Sequence, residues 1–507
     1  MNRVSTLHEL MTAGAETHAA LTAPGREPLS FAALRSLVAD TGAALNRLGI
    51  GRGDRVAIVL PNGPEMAAAF IAIASYATAA PLNPGYRADE FEFYMGDLRA
   101  KALVVEAGSA SPALEVAHKM GVRVLTLRPA LNGGAGAFTL HADEDAAPAA
   151  HAGPAQRDDI ALILHTSGTT SRPKIVPLSQ RNVCVSAGNI AATLAFSAAD
   201  RGLNIMPLFH IHGLMAGILA PLSAGGGVFC TPGFNALKFF GFMEECRPTW
   251  YTAVPTMHQA ILTRAAGNRA TIERHRLRFI RSSSSSMPPQ VVVALEAAFG
   301  APVIESYGMT EASHQMASNL IAGPRKPGAV GVAAGPQIAV MGEDGALLGV
   351  GETGEVVIRG ENVTLGYENN ATANATAFVA GWFRTGDQGV LDADGHLLLT
   401  GRLKEIINRG GEKVSPREVD EVLMDHPAVQ QVVVFGMPHK MLGEDVAAAV
   451  VLREGEVIDE KGLRAFVAER LADFKVPRKI LFLDAIPLGA TGKLQRIGLA
   501  EKLGLAG

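Results

Sequence analysis

The sequence predicts an α/β protein: a large N-terminal part of two helix-covered sheets plus a small β-rich subdomain, then a small α+β C-terminal part. Three observations carry this. Strand-like and helix-like segments alternate through about the first 300 residues, short strands with Gly-rich turns fill residues 328–399, and a compact mixed pattern follows residue 401. In order, residues 55–60 read as a strand and 64–76 as an apolar helix. A helix at 88–98 leads into a strand at 102–105. Gly51-Arg52-Gly53 precedes the first strand instead of following it, so it reads as a turn and not a dinucleotide loop. The Ala-, Gly- and Pro-rich stretch 130–157 reads as loop or linker. Alternation resumes at 160–164 and runs to about residue 306. Residues 354–360 read as a strand of the β-rich part. The final hundred residues carry helices at 416–425 and 460–471 and strands at 429–435 and 447–452.

A chain of 507 residues implies two or three domains. With 48% hydrophobic and 19% charged residues it buries large cores and is not a disordered chain. A net charge of −4 from 45 basic and 49 acidic residues gives no global field toward nucleic acid or anionic membrane, so neither is expected as a partner. Cys184, Cys230 and Cys246 have neither metal-ligand spacing nor a disulfide framework, as expected of a reduced, cytoplasmic protein. Residues 1–25 lack a signal-peptide core, no apolar run spans a bilayer, and Leu503-Gly504-Leu505-Ala506-Gly507 is not a Ser-Lys-Leu address. Asn370-Ala371-Thr372 and Asn374-Ala375-Thr376 match the glycosylation pattern, but without secretion they are expected to be ordinary loop residues.

The most informative stretch is 165–174, His-Thr-Ser-Gly-Thr-Thr-Ser-Arg-Pro-Lys, directly after the apolar run 160–164. Small residues let backbone N–H groups approach phosphate oxygens, hydroxyls add donors, and Lys174 adds charge. Taken alone it is equally well a polar surface turn. It is not a Walker loop, because Pro173 stands where that motif needs Gly.

Further islands follow in order: Pro207-Leu208-Phe209-His210-Ile211-His212-Gly213, Glu305-Ser306-Tyr307-Gly308-Met309-Thr310-Glu311, Trp382-Phe383-Arg384-Thr385-Gly386-Asp387, Gly401-Arg402-Leu403-Lys404, and Thr491-Gly492-Lys493. Together with Asn83-Pro84-Gly85-Tyr86, the set resembles the adenylate-forming superfamily of acyl-CoA synthetases, luciferases and peptide-synthetase adenylation domains over essentially the whole length. The resemblance implies an N-terminal lobe of residues 1–400, a hinge at 401–404 that includes Lys404, and a mobile C-terminal lobe of 405–507. It implies ATP, Mg²⁺ and coenzyme A as small-molecule partners, and a role for each matched position. Thr166, Ser167, Gly168, Thr169, Thr170 and Lys174 would hold the β- and γ-phosphates. Thr310 would contact the α-phosphate, and Glu311 would coordinate Mg²⁺. Asp387 and Arg402 would bind the ribose, with Glu305, Ser306 and Tyr307 flanking the adenine. Lys493 would bridge the acid and the α-phosphate, and Gly410 and Gly411 would line the pantetheine tunnel.

The acid site departs from the commoner pattern of the superfamily. Ser282–Ser286 and Met287 replace a Ser-Gly-Ala-Ala-Pro-like run, and Ala312-Ser313-His314 follow Glu311. A hydrocarbon tail would leave such donors unsatisfied at about 1–3 kcal/mol each, whereas a second carboxylate would satisfy them. With Ser171-Arg172-Pro173-Lys174, these segments resemble the oxalyl-CoA synthetases. Ser283, Ser285, His210 and His314 are the candidate acid-binding residues; the alternative is that the serines bond only backbone and His314 is structural. The expected reaction is adenylation of a small dicarboxylate, most of all oxalate, and its transfer to CoA with release of AMP and pyrophosphate. Malonate or another short acid is the nearest alternative. Carrier loading, a luciferase-like oxygenase, a phosphotransferase or ATPase, and a non-catalytic nucleotide-binding regulator are more remote. Oligomeric state is not legible.

Overall fold

A computed structural model describes residues 4–142, 146–166, 173–326, 328–487 and 495–505. Ser167, Gly168, Thr169, Thr170 and Lys493 lie outside the described residues. Two large sheets organise the N-terminal part. The seven-stranded one runs Phe138–His141, Arg123–Pro129, Ala102–Glu106, Arg55–Val59, Thr78–Pro81, Ile160–Thr166, Lys174–Ser179. The nine-stranded one runs Val332–Ala333, His314–Ser318, Val303–Met309, Phe279–Ser283, Trp250–Ala253, Arg201–Asn204, Gly227–Cys230, Ala19–Ala23, Arg26–Ser30. Both are parallel inside and antiparallel at their margins.

The apolar helix expected at 64–76 is Pro64–Ala74, with Pro64 in its first turn where no N–H is needed. It is buried everywhere except at Glu65 because it touches strands of both large sheets. A helix enclosed on all sides must be apolar on all sides, which is how its sequence reads. The helix Ala88–Leu98 and the strand Ala102–Glu106 follow as expected.

The β-rich subdomain is a five-stranded antiparallel sheet of Gln337–Met341, Thr353–Arg359, Trp382–Leu391 and Phe378–Val379, with Leu397–Arg402 added beside Trp382–Leu391. The C-terminal sheet joins Glu412–Val414, Ile407–Arg409, Gly443–Leu452, Val429–His439 and Lys479–Phe482. Its helices Pro416–Met424 and Glu460–Ala468 begin with side-chain caps from Ser415 and Asp459.

Two expectations need correction. The stretch 130–157 is not loop throughout: Phe138–His141 pairs antiparallel with Arg123–Pro129, and Phe138 fills the core. Four residues flanked by Ala and Gly are too few to show alternation. The two glycosylation-like motifs lie in a helix, not a loop. Asn370 caps Ala371–Ala377, and the Asn374 side chain bonds both backbone N–H and C=O of Tyr367.

Among the described residues, no buried apolar cluster crosses residue 400. The N-terminal clusters end at Leu397 with Leu399 packed on, and the C-terminal ones begin at Ile407.

Candidate active site

Ser284 and the turn carrying Glu311 follow the carboxyl ends of strands Phe279–Ser283 and Val303–Met309, which pair in parallel, where open α/β sheets present ligand sites. Asp387 and Arg402 come instead from the antiparallel β-rich subdomain. The strand Ile160–Thr166 continues not into a helix but into an antiparallel hairpin, with Thr166 opposite Lys174. The Lys174 N–H donates to Thr166 Oγ1 at 3.4 Å, and the helix Gln180–Thr193 starts only after the second strand. Lys174 Nζ lies 4.3 Å from the centre of the Tyr367 ring, and the Tyr367 hydroxyl donates to Glu311 Oε1 at 2.8 Å. Glu311 sits on the turn Thr310–Ala312 after strand Val303–Met309 and is 6% exposed. Burial raises its carboxyl above the usual range, while Tyr367, Arg402 and Lys174 act in the other direction. Lys174 and the expected metal carboxylate Glu311 are thus neighbours through one tyrosine.

A second group forms around Asp387. The Tyr307 hydroxyl donates to Asp387 Oδ2 at 2.5 Å, and Arg402 Nε lies 3.1 Å from Asp387 Oδ1. Asp387 and Arg402 face each other directly on adjacent strands, so β register alone makes this pair. Burial raises the Asp387 carboxyl and Arg402 opposes the rise. Nearby, burial pushes Glu305 up to about 7; Arg417 of the helix Pro416–Met424 pulls it down and Glu421 pushes it up.

The third group is polar, buried and centred on a residue the sequence reading passed over. His212, 2% exposed, stacks on His314 with ring centres 4.8 Å apart. Its Nδ1 is 2.9 Å from Ser284 Oγ and its Nε2 is 2.7 Å from Thr252 Oγ1. Arg281, fully buried, reaches His212 Nε2 from NH1 at 3.2 Å, and Ser306 Oγ and Gln315 Oε1 from NH2 at 2.7 and 3.3 Å. Burial holds the His212 imidazole well below its usual pKa; His314, Arg281, His258 and His210 add to the effect. His212 therefore stays neutral.

His212 leads directly into a π-helix, Gly213–Leu219, a rare element that often marks functional sites. Ser284, Ser313 and His314 have φ of 74°, 49° and 93°, all left-handed, so backbone strain concentrates on the loops that shape this cluster.

The candidates named from sequence take different places. His314 is in the cluster, whereas His210 is half-buried beside Phe209. Ser283 donates to the Ser306 carbonyl at 2.8 Å, so its hydroxyl proton is committed to the backbone, and Ser285 is exposed. The Ser306 hydroxyl meets Arg281. Gly410 and Gly411, both at positive φ, form the turn between Ile407–Arg409 and Glu412–Val414. Lys404 is exposed on the turn after Leu397–Arg402. His212 stood in a quoted motif, but sequence does not tell which of two histidines two apart turns inward. Arg281 follows the apolar pair Phe279-Ile280 and precedes a run of serines, so nothing in the local sequence marks it as buried.

Residues 12–368 match the AMP-binding enzyme family, and residues 418–493 match the AMP-binding enzyme C-terminal domain. The chain belongs to the AMP-binding enzyme family. Within it, the chain is 46% identical to an oxalate–CoA ligase of Arabidopsis thaliana, with 95% of each chain covered. It is 42% identical to an oxalate–CoA ligase of Saccharomyces cerevisiae, over 89% of this chain and 87% of that one. ATP-bound MatB from Rhodopseudomonas palustris superposes with a TM-score of 0.87 at 29% identity, covering 98% of each chain. The AMP-binding match contains Lys174, Glu311, Tyr367, Arg281 and both stacked histidines, while Asp387 and Arg402 fall between the two matched stretches. No helix among the described residues is long and apolar enough to cross a membrane.

Proposed function

We propose that this chain is an AMP-forming acid–thiol ligase that adenylates oxalate with ATP and transfers the oxalyl group to CoA. The observation that carries the choice of acid is the group of buried His212, His314 and Arg281 with half-buried Ser284, which offers donors and positive charge where a hydrocarbon tail would need apolar walls. The oxalate–CoA ligases from plant and yeast, each aligned over most of its length, support the same reading.

A carboxylate resists attack because its charge repels nucleophiles and oxide is a poor leaving group. In the first step a carboxylate oxygen attacks the α-phosphorus of ATP, and the bond to pyrophosphate breaks. In the second, the CoA sulfur attacks the acyl carbon, the thiol proton is lost and AMP leaves with the oxygen. Negative charge builds on the α-phosphate in the first transition state, so pre-placed cations count most there. Lys493 is assigned to that charge, Thr310 to an α-phosphate oxygen, and Lys174 with Thr166–Thr170 to the β- and γ-phosphates. Asp387, held from both sides by Tyr307 and Arg402, has fixed acceptor oxygens suited to ribose hydroxyls. Glu305, Ser306 and Tyr307 are assigned to the adenine side, and His210 and Ser285 to the rim of the acid site.

Glu311 is the residue that would hold Mg²⁺. A buried carboxylate beside a phosphate-binding lysine is the hard oxygen donor that ion takes, and the ion would offset phosphate charge there. Residues 405–507 are assigned to a lobe that turns about 401–404, bringing Lys493 for the first step and Gly410-Gly411 for the second. That no apolar cluster among the described residues crosses residue 400 supports this, because few buried contacts would have to break. The test is product analysis with CoA across oxalate, malonate, acetate, coumarate and a fatty acid. Oxalyl-CoA with AMP and pyrophosphate is expected; equal or better turnover on monocarboxylates would remove the dicarboxylate assignment, and ADP would remove the ligase assignment.

A further inference from the structure

Arg281 is a fully buried guanidinium whose hydrogen-bond partners are all neutral: His212, Thr252, Ser306 and Gln315. Its Nε has no partner among the described residues. Burial alone pushes the group down to about 9, with no carboxylate acting against it, and it stays cationic at neutral pH. Other internal arginines here are matched: Arg496 has Asp420 at 2.6 Å and Arg409 has Asp445 at 2.6 Å. Burying a cation without a counter-ion is expensive, and a fold that retains one leaves an attraction for an anion unspent.

The hydrogen bonds give that charge a direction. The Arg281 NH1 group at 3.2 Å and the Thr252 hydroxyl at 2.7 Å both meet His212 Nε2. A guanidinium only donates, so the arrangement that satisfies Arg281 has Nε2 as acceptor and the ring proton on Nδ1. Nδ1–H then donates to Ser284 Oγ, which leaves the Ser284 hydroxyl proton free to be donated onward. Ser284 is half-buried, on a loop held at φ 74°, at the carboxyl end of the strand Phe279–Ser283. We infer that Arg281, His212 and Ser284 form a polarised relay that presents a donor to the non-reacting carboxylate and makes the site select dianionic acids over monoanionic ones of the same size. Ser284 touches the acid; Arg281 acts through His212 as a positioning residue. The inference rests on the oxalate reading.

The test compares oxalate with oxamate, which has the same shape and one charge fewer, in acid-dependent pyrophosphate–ATP exchange. Wild type is expected to favour oxalate by about 10–100-fold in kcat/KM, the range of one charge-assisted hydrogen bond. Arg281→Gln should bring the two acids near parity through an oxalate KM raised well beyond any change in the ATP KM, and Arg281→Lys should restore most of the preference. Equal losses on both acids, or an unchanged preference, would overturn the relay. Should the Arg281 variants not fold, Ser284→Ala decides: a roughly 10-fold rise in oxalate KM with oxamate unaffected supports the relay, and an unchanged oxalate KM sinks it. Wild type inert toward oxalate would instead refute the functional reading itself.

Discussion

Tyr367 joins two charges that must not neutralise each other. Its hydroxyl binds Glu311 and its ring face carries Lys174, which keeps the lysine off the carboxylate while both remain at the site proposed for the phosphates. Tyr367→Phe keeps the ring and removes the donor. A hydrogen bond to a charged group is worth about 1.5–3 kcal/mol, so a 10-fold or larger rise in the Mg²⁺ concentration for half-maximal exchange is expected, with the oxalate KM unmoved. An unchanged Mg²⁺ requirement would detach Tyr367 from Glu311's role. At this scale the sequence showed residue types better than contacts. Lys174, Glu311, Asp387 and Arg402 stand in motifs whose order is informative by itself. His212 and Arg281 gain their meaning only from burial and from partners 69 residues apart, which no local pattern encodes.

Among the elements, the hairpin of Val303–Met309 and His314–Ser318 sets the position of His314. Its register shifts between Tyr307 and Gly308, and a Cβ on Gly308 would lie 1.9 Å from the His314 carbonyl oxygen. Backbone is the obstacle, so relief requires moving His314. Gly308→Ala should cost about 1–3 kcal/mol or more of stability and lower kcat/KM for oxalate beyond the effect on ATP; melting curves and exchange kinetics check both. The helix Pro416–Met424 supplies the second element-scale expectation, because its Arg417 and Glu421 influence Glu305. Glu305 binds its proton more tightly folded, at about 7, than at its usual 4.5. Its contribution to stability therefore falls as pH rises from about 4.5 to about 7. Glu305→Gln should flatten the decline in melting temperature between pH 5 and pH 8; an identical slope would contradict it. Strands and helices of ordinary length were legible because their apolar patterns are long. Phe138–His141 was not, being a four-residue edge strand whose pairing comes from a distant neighbour.

Over the whole molecule, the two parts meet through polar contacts such as Gln290 with Asp425 at 2.9 Å, Lys413 with Glu343 at 3.2 Å, and the Ser415 hydroxyl with the Thr400 carbonyl. Such contacts are individually weak, which suits the proposed change of lobe orientation between two steps. Two large sheets, a β subdomain and a small C-terminal part were all visible in the alternation of the sequence, since each layer imposes its own period. The strand order within each sheet was not, because crossovers leave no local mark. The proposed lobe exchange would make the two half-reactions separable: Lys493→Ala should abolish adenylation and largely spare thioester formation from preformed oxalyl adenylate. The most direct measurement is oxalate-dependent pyrophosphate–ATP exchange without CoA, in wild type and Lys493→Ala. Exchange in wild type and a loss of at least about 100-fold in the variant are expected; ADP release, or equal exchange by both proteins, would contradict adenylation as the chemistry of this site.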